Sequence, residues 1–266
     1  LESIGALPNV TRIAFGAFRN CEKLKKVEGL GKLTAINRNT FTGCTSLKSI
    51  GNLPKVTSIG ERAFRGCSAL TSVGDLSNVT SIGESAFYGC SSLAGVGDLS
   101  SVTSIGNSAF YNCSALASIG DLPNVTSIGS SAFSGCSSLA SIGDLPNVTS
   151  IGDSVFYNCS SLASIGNMPN VTSISRGAFS DCSALVSIGD LSSLTEIPES
   201  LFAGLSNLVS VGDLSSVKII GDSAFGRYRY RNSETGEVKY IYCTSLKRIG
   251  DMPNLTQIGN YAFEGC

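Results

Sequence analysis

Counting from Cys136, the apolar positions fall at Leu139, Ile142, Leu145, Val148, Ile151, Val155 and Phe156, with Ser, Asp, Asn and Thr filling the gaps. Steps of three are too wide for a strand that simply alternates inside and outside. Pro, Gly and Asp-Leu-Pro-Asn turns also interrupt any run long enough for an ordinary helix. A chain with this pattern must coil. Each coil is predicted to hold two short extended pieces, at 140–143 and 148–151, and then a tight helical turn at 154–158.

The pattern repeats. Cysteine stands at 21, 44, 67, 90, 113, 136, 159 and 182, at a constant spacing of 23, and again at 243 and 266. Leu205 takes the slot where the next cysteine is due. The step from Leu205 to Cys243 exceeds one period by 15, which places an insertion after Phe225. The chain is therefore about eleven copies of one unit. No unit buries its apolar face alone, so neighbours stack and their inward side chains form continuous ladders. The predicted fold is a repeat solenoid with a parallel β-sheet, second short extended segments and short helical turns. It is one domain over 1–266, open at both ends.

The stretches AFRGCSALTSV, from Ala63 to Val73, and AFSGCSSLASI, from Ala132 to Ile142, share one signature. It is an Ala-Phe pair, a cysteine three residues after the Phe, and Leu and Ile at steps of three, followed by a Pro turn and a second Ile-Gly. This pattern resembles the Treponema pallidum-type, or BspA-like, leucine-rich repeat family over the whole chain apart from the insertion. IPESLFAGLSNL, from Ile197 to Leu208, is similar to an ordinary leucine-rich repeat, with Leu205 in the cysteine slot. Ile-Gly-Asp-Leu-Pro stands where the family more often has Ile-x-Leu-Pro, a departure in the strand before the proline. The resemblance implies a leucine-rich repeat arc on, or secreted from, a bacterial or protozoan surface. It further implies adhesion to host protein or to neighbouring cells.

Composition narrows the function. The chain has no His, so the commonest general base and metal ligand is missing. There is no nucleophile elbow, no P-loop and no metal-ligand cluster, and the serines and aspartates follow the repeat instead of converging. A non-enzymatic chain without cofactors is expected. No apolar stretch is long enough to span a bilayer, so no membrane span is expected, and Leu1-Glu2-Ser3 is not a signal peptide. The chain opens in mid-repeat and stops on Cys266 without a polar capping unit, which predicts a fragment of a longer protein.

Ten cysteines raise disulfides and zinc. Zinc fails for want of C-x-x-C pairs and His. Cysteines at equivalent places in stacked coils would lie ~5 Å apart with parallel side chains, which suits a buried apolar ladder better than bridges. Eight residues after the cysteine runs a second column: Asp75, Asp98, Asp121, Asp144, Asn167, Asp190, Asp213 and Asp251. Two readings stand, Asx-type caps of the Gly-Asp-Leu-Pro turn or a row of weak calcium sites at Asp75, Asp98, Asp121 and Asp144. A Thr-Ser column can imitate an ice-binding surface, but Thr11-Arg12, Thr195-Glu196 and Lys218-Ile219 break the array, and Thr suits an exposed strand face in any case. The same column generates the sequons at Asn9, Asn78, Asn124, Asn147, Asn170 and Asn254.

The net charge of −1 hides a gradient. Residues 1–65 hold 11 Lys/Arg against 4 Asp/Glu, residues 66–175 hold none against 6, and residues 176–266 hold 8 against 10. The basic end could attract an anionic partner such as a sulfated glycan or nucleic acid. No aromatic interleaving accompanies it along the chain, so it reads as solvated surface, and no nucleic-acid partner is expected.

The insertion, GRYRYRNSETGEVKYIYC from Gly226 to Cys243, is the stretch the repeat does not explain. Period two on both arms around a polar turn at 232–237 predicts a β-hairpin over 227–242. Tyr240 and Tyr242 are expected across from the aromatics of the first arm. Arg and Tyr dominate interface hot spots, so Arg227, Tyr228, Arg229, Tyr230, Arg231, Lys239, Tyr240 and Tyr242 are the candidate ligand contacts. The alternative is a hairpin that folds back over its own rings. The expected function is a surface or secreted binding module, monomeric, with a protein or glycan ligand. A structural spacer for other domains is the second reading.

Overall fold

The structure, a computed structural model, describes residues 1–231 and 236–266. It is a solenoid in which each coil hydrogen-bonds in register to the equivalent positions one period away. One wall is a seven-stranded parallel sheet running from Ala35–Ile36 through Ser58–Ile59, Ser81–Ile82, Ser104–Ile105, Ser127–Ile128 and Ser150–Ile151 to Ser173–Ile174. Each pair joins equivalent residues, as Ser58 with Ser81 and Ile59 with Ile82. The column resumes beyond a break as Glu196–Ile197, Ile219–Ile220 and Gln257–Ile258. A second wall forms a four-stranded sheet at Ser141–Ile142, Ser164–Ile165, Ser187–Ile188 and Ser210–Val211.

The strands are two residues long because only one inward side chain, the Ile or Val, is needed before the chain turns. Inside, Phe18, Phe41, Phe64, Phe87, Phe110, Phe133, Phe156, Phe179, Phe202, Phe225 and Phe263 form one column. Ring planes lie within 10° of each other except at Phe202–Phe225, where the tilt of 30° marks the coil from which the insertion leaves.

The third wall corrects an expectation. No helical turn forms at 154–158 or at its equivalents. In each coil one residue before the Ala-Phe pair is left-handed, such as Arg62 (φ 54), Ser85 (φ 53), Ser131 (φ 55) and Ser154 (φ 52). Such a residue breaks a helix at roughly 1–2 kcal/mol of local strain. The backbone N–H groups then alternate. Those of Ala63, Arg65 and Cys67 close tight turns onto Gly60, Arg62 and Phe64, while those of Arg62, Phe64 and Gly66 donate to Glu84, Ala86 and Tyr88 of the next coil. A helix would spend every donor internally, so the stacking of coils selects the chain of turns.

The polar columns are largely consumed by the same stacking. Thr80, Thr103 and Thr126 each donate a hydroxyl to the carbonyl of the threonine one coil earlier, at 3.1 Å. The side-chain amides of Asn78, Asn147 and Asn170 likewise donate to the carbonyls of Pro54, Pro123 and Pro146. The Asn-Val-Thr repeat is thus a hydrogen-bonding device of the solenoid, and its hydroxyls are not a free array for ice.

Candidate binding surface

The insertion is an antiparallel pair, Tyr228–Arg231 with Val238–Ile241, in the register Tyr228↔Ile241, Arg229↔Tyr240, Tyr230↔Lys239 and Arg231↔Val238. This register sets Tyr240 opposite Arg229 and Tyr228 opposite Ile241, so the arms do not match aromatic to aromatic as expected. An antiparallel pair puts directly opposed residues on one face, and the Tyr228–Ile241 face turns inward. A Cβ on Gly204 would collide with the Cβ of Tyr228 and lie 3.6 Å from that of Ile241. Gly204, left-handed at φ +75, therefore makes room for the hairpin. Tyr242 lies outside the strand, and its ring covers Gly265 in the same way.

The base is also tied down by charge. Arg227 Nε lies 3.4 Å from the buried Oε2 of Glu264, and its guanidinium sits 5.0 Å from the centroid of Tyr240 and 5.8 Å from that of Tyr261. The hydroxyl of Tyr228 donates to Asp181 Oδ2 at 3.3 Å, and the Tyr157 phenol lies beside the same carboxylate. Burial pushes the Asp181 carboxyl above its ordinary range, with the two phenols opposing. Burial, aided by the Asp181 charge, raises Tyr228 and Tyr157 as well.

The opposite face is open. Arg229 is exposed and Tyr240 is 46% exposed. Between the hairpin and the turn wall lies a cleft of about 480 Å³ lined by Asp153, Tyr157, Arg176, Arg229 and others. Of the predicted contacts, Tyr228, Tyr242 and Arg227 anchor the hairpin, and Arg229 and Tyr240 share the outward face; Lys239 lies on the Ile241 face, where its side chain stays in solvent and reaches Glu237 at 3.6 Å. The side chains of Tyr230 and Arg231, and residues 232–235, lie outside the described residues.

Sequence reasoning missed the other half of this surface. The position after each Phe carries Arg19, Thr42, Arg65, Tyr88, Tyr111, Ser134 and Tyr157, one stripe down the turn wall. Arg65 stands 5.0 Å over the Tyr88 ring, and Tyr88 stacks on Tyr111 at 4.7 Å. Arg38 also lies 5.9 Å over Phe15. The basic end therefore does interleave with aromatics. They are neighbours at a spacing of 23, and reading one repeat column instead of the linear chain would have found them.

The Asp column turns out heterogeneous. Asp75 and Asp98 accept the N–H groups of Ser77 and Ser100 at 2.8 Å, as Asx turns do, and the turn hydrogen bonds hold Asp75 below the usual carboxylate range. Asp144 accepts from Asn167 N–H of the next coil at 2.7 Å. Among the described residues, no three acidic or cysteine side chains gather as a metal-binding group.

Stacked parallel coils, a buried Leu/Ile/Val/Phe ladder and a decorated turn wall define a leucine-rich repeat protein. The repeat pattern of the BspA type leucine rich repeat region matches residues 1–117, 103–232 and 228–266, and the chain belongs to that family. A leucine-rich repeat protein from Bacteroides ovatus is 28% identical, over 99% of this chain and 76% of its own, with a TM-score of 0.62. The Treponema pallidum leucine-rich repeat protein is 26% identical over 76% of this chain and 78% of its own, with a TM-score of 0.47. No curated protein matches. Proteins of this family and fold are generally non-enzymatic, protein-binding repeats. Among the described residues no helix is long and apolar enough to cross a membrane.

Proposed function

We propose that the chain is a binding or adhesion module, displayed on a cell surface or secreted. Its hairpin presents Arg229 and Tyr240 to a protein or glycan ligand. One observation carries this reading: Tyr228 and Tyr242 seat the hairpin on Gly204 and Gly265, while the Arg229–Tyr240 face is left in solvent. A rigid base beneath exposed Arg and Tyr is the arrangement expected of interface anchors, since little side-chain freedom is lost on binding. The surface location follows from the family resemblance and remains part of the proposal.

A structural spacer is the second reading. It is supported by the Thr and Asn columns, whose polar groups are spent between coils and leave much of the wall without free donors. Immobilised matrix proteins and glycans, probed with the native chain and with Arg229→Ala/Tyr240→Ala, separate the two. Retention lost in the double variant supports the hairpin as contact, and retention by neither chain supports the spacer.

A further inference from the structure

The basic end of the turn wall forms a site of its own. Arg19, Arg38, Arg62 and Arg65 line one open cleft of about 520 Å³, with the buried polar residues Asn39 and Ser85 in its wall. Two of the arginines are committed. Glu61 lies 3.1 Å from Arg38 and 3.2 Å from Arg62, and Arg62 also reaches Glu84 at 3.6 Å. Among the described residues, Arg19 and Arg65 have no carboxylate partner.

Arg65 is nonetheless held in place. Its guanidinium lies over Tyr88, and because coils stack in chain order, Tyr111 covers the other face of the same ring. A guanidinium fixed over a ring keeps its N–H donors at the edge, where a planar or tetrahedral oxyanion accepts two at once. Residues 1–65 have 11 Lys/Arg against 4 Asp/Glu, while residues 66–175 have no cation and 6 acids, so the field attracts a polyanion to this end and repels it from the middle.

We propose that this cleft binds the sulfate or carboxylate groups of an acidic polysaccharide, with Arg65 and Arg19 as donors. Sugar hydroxyls suit the polar wall at Asn39 and Ser85. Tyr88 has both faces covered and is closed to a stacking base, whereas Phe15 at the same cleft is 61% exposed, so single-stranded DNA is the competing ligand that the test includes. The site is separate from the hairpin.

Calorimetric titration of the full chain with heparin, a sulfated probe, and polygalacturonate, a carboxylated one, tests this and tells the two anions apart. Arg65→Gln is expected to weaken binding about tenfold, and Arg65→Lys nearly as much, because the fork is lost although the charge stays. Arg19→Gln, which removes an exposed charge, should weaken binding with an unchanged melt. Arg229→Ala/Tyr240→Ala should bind both probes like the native chain, whatever the fate of the hairpin reading. The proposal is overturned if neither polysaccharide binds, if the Arg19 and Arg65 variants bind as well as the native chain, or if single-stranded DNA or polyglutamate binds more tightly.

Discussion

The thiol of Cys136 lies 3.2 Å from the carbonyl oxygen of Phe110, one coil away, and donates to it. The same carbonyl accepts the Cys113 backbone N–H at 3.1 Å, so the cysteine column serves the second lone pair of each buried Phe carbonyl. The geometry recurs from Cys44, which donates to Phe18, through Cys182, which donates to Phe156. All ten cysteines are free. Cysteine here is more than a small hydrophobe: it is the one small, apolar side chain that also donates. Leu205 gives up that hydrogen bond for packing volume.

Alkaline pH should unfold this protein through those thiols. Burial raises Cys44 and Cys243 to about 11, and Cys113 and Cys159 to about 12. Below about pH 8.5 the thiols are protonated folded or unfolded, so they add no pH dependence. Above it the unfolded chain loses protons that the folded chain keeps, and each buried thiol subtracts up to about 1.4 kcal/mol per pH unit until the folded pKa is reached. Urea midpoints from pH 8 to 10.5 should fall steeply, and less steeply for Cys136→Val/Cys159→Val. Native-state labelling should reach the exposed Cys266 and half-buried Cys21 before the rest.

Phe133 is fully buried between Phe110 at 5.4 Å and Phe156 at 5.7 Å. Phe133→Ala should cost about 3–5 kcal/mol, because coils hydrogen-bonded on every wall cannot collapse into the cavity. Since each coil touches only its neighbours, the melt should also split into two transitions. A single unshifted transition by calorimetry would contradict the ladder as the source of cooperativity.

Asp181 supplies a pH dependence of the same sign at the acid end of the scale. Its folded carboxyl is raised by burial, so the folded state holds a proton that the unfolded state has released. Stability is therefore greatest below the ordinary carboxylate pKa and declines as pH rises through the folded value. Asp181→Asn should flatten the fall in melting temperature as pH rises above the ordinary carboxylate pKa, relative to the native chain.

The hairpin residues should divide by role. Tyr228→Ala removes the packing on Gly204 and the bond to Asp181 and should cost about 2 kcal/mol. Arg229→Ala, on the exposed face, should leave the melting temperature nearly unchanged and lower ligand retention. If Arg229→Ala lowers the melt and spares retention, the hairpin is a lid.

The inward columns were legible because burial repeats: any face in the core shows as an apolar residue at the same slot of every period, and Phe and Cys at fixed slots leave few other folds. The hairpin was legible from its period of two. Its role division was not, since which face turns inward depends on Gly204 and Gly265, glycines that look like every other in the repeat. The Arg65–Tyr88–Tyr111 stack was hidden because partners one coil apart are distant along the chain.

One segment marks the boundary sharply. Residues 118–124 and 141–147 both read Ser-Ile-Gly-Asp-Leu-Pro-Asn. In the first, Gly120 is left-handed at φ +68 and no strand forms; in the second, Ser141–Ile142 pairs with Ser164–Ile165, extended by the bond from Gly166 N–H to Ile142 O at 2.9 Å. Local sequence permits both states, because glycine alone crosses between them at little cost. The choice is made by the neighbouring coil. Gly51, Gly74 and Gly97 before it are left-handed, whereas Gly166, Gly189 and Gly212 after it are not, and a coil hydrogen-bonds fully only with a neighbour in its own conformation.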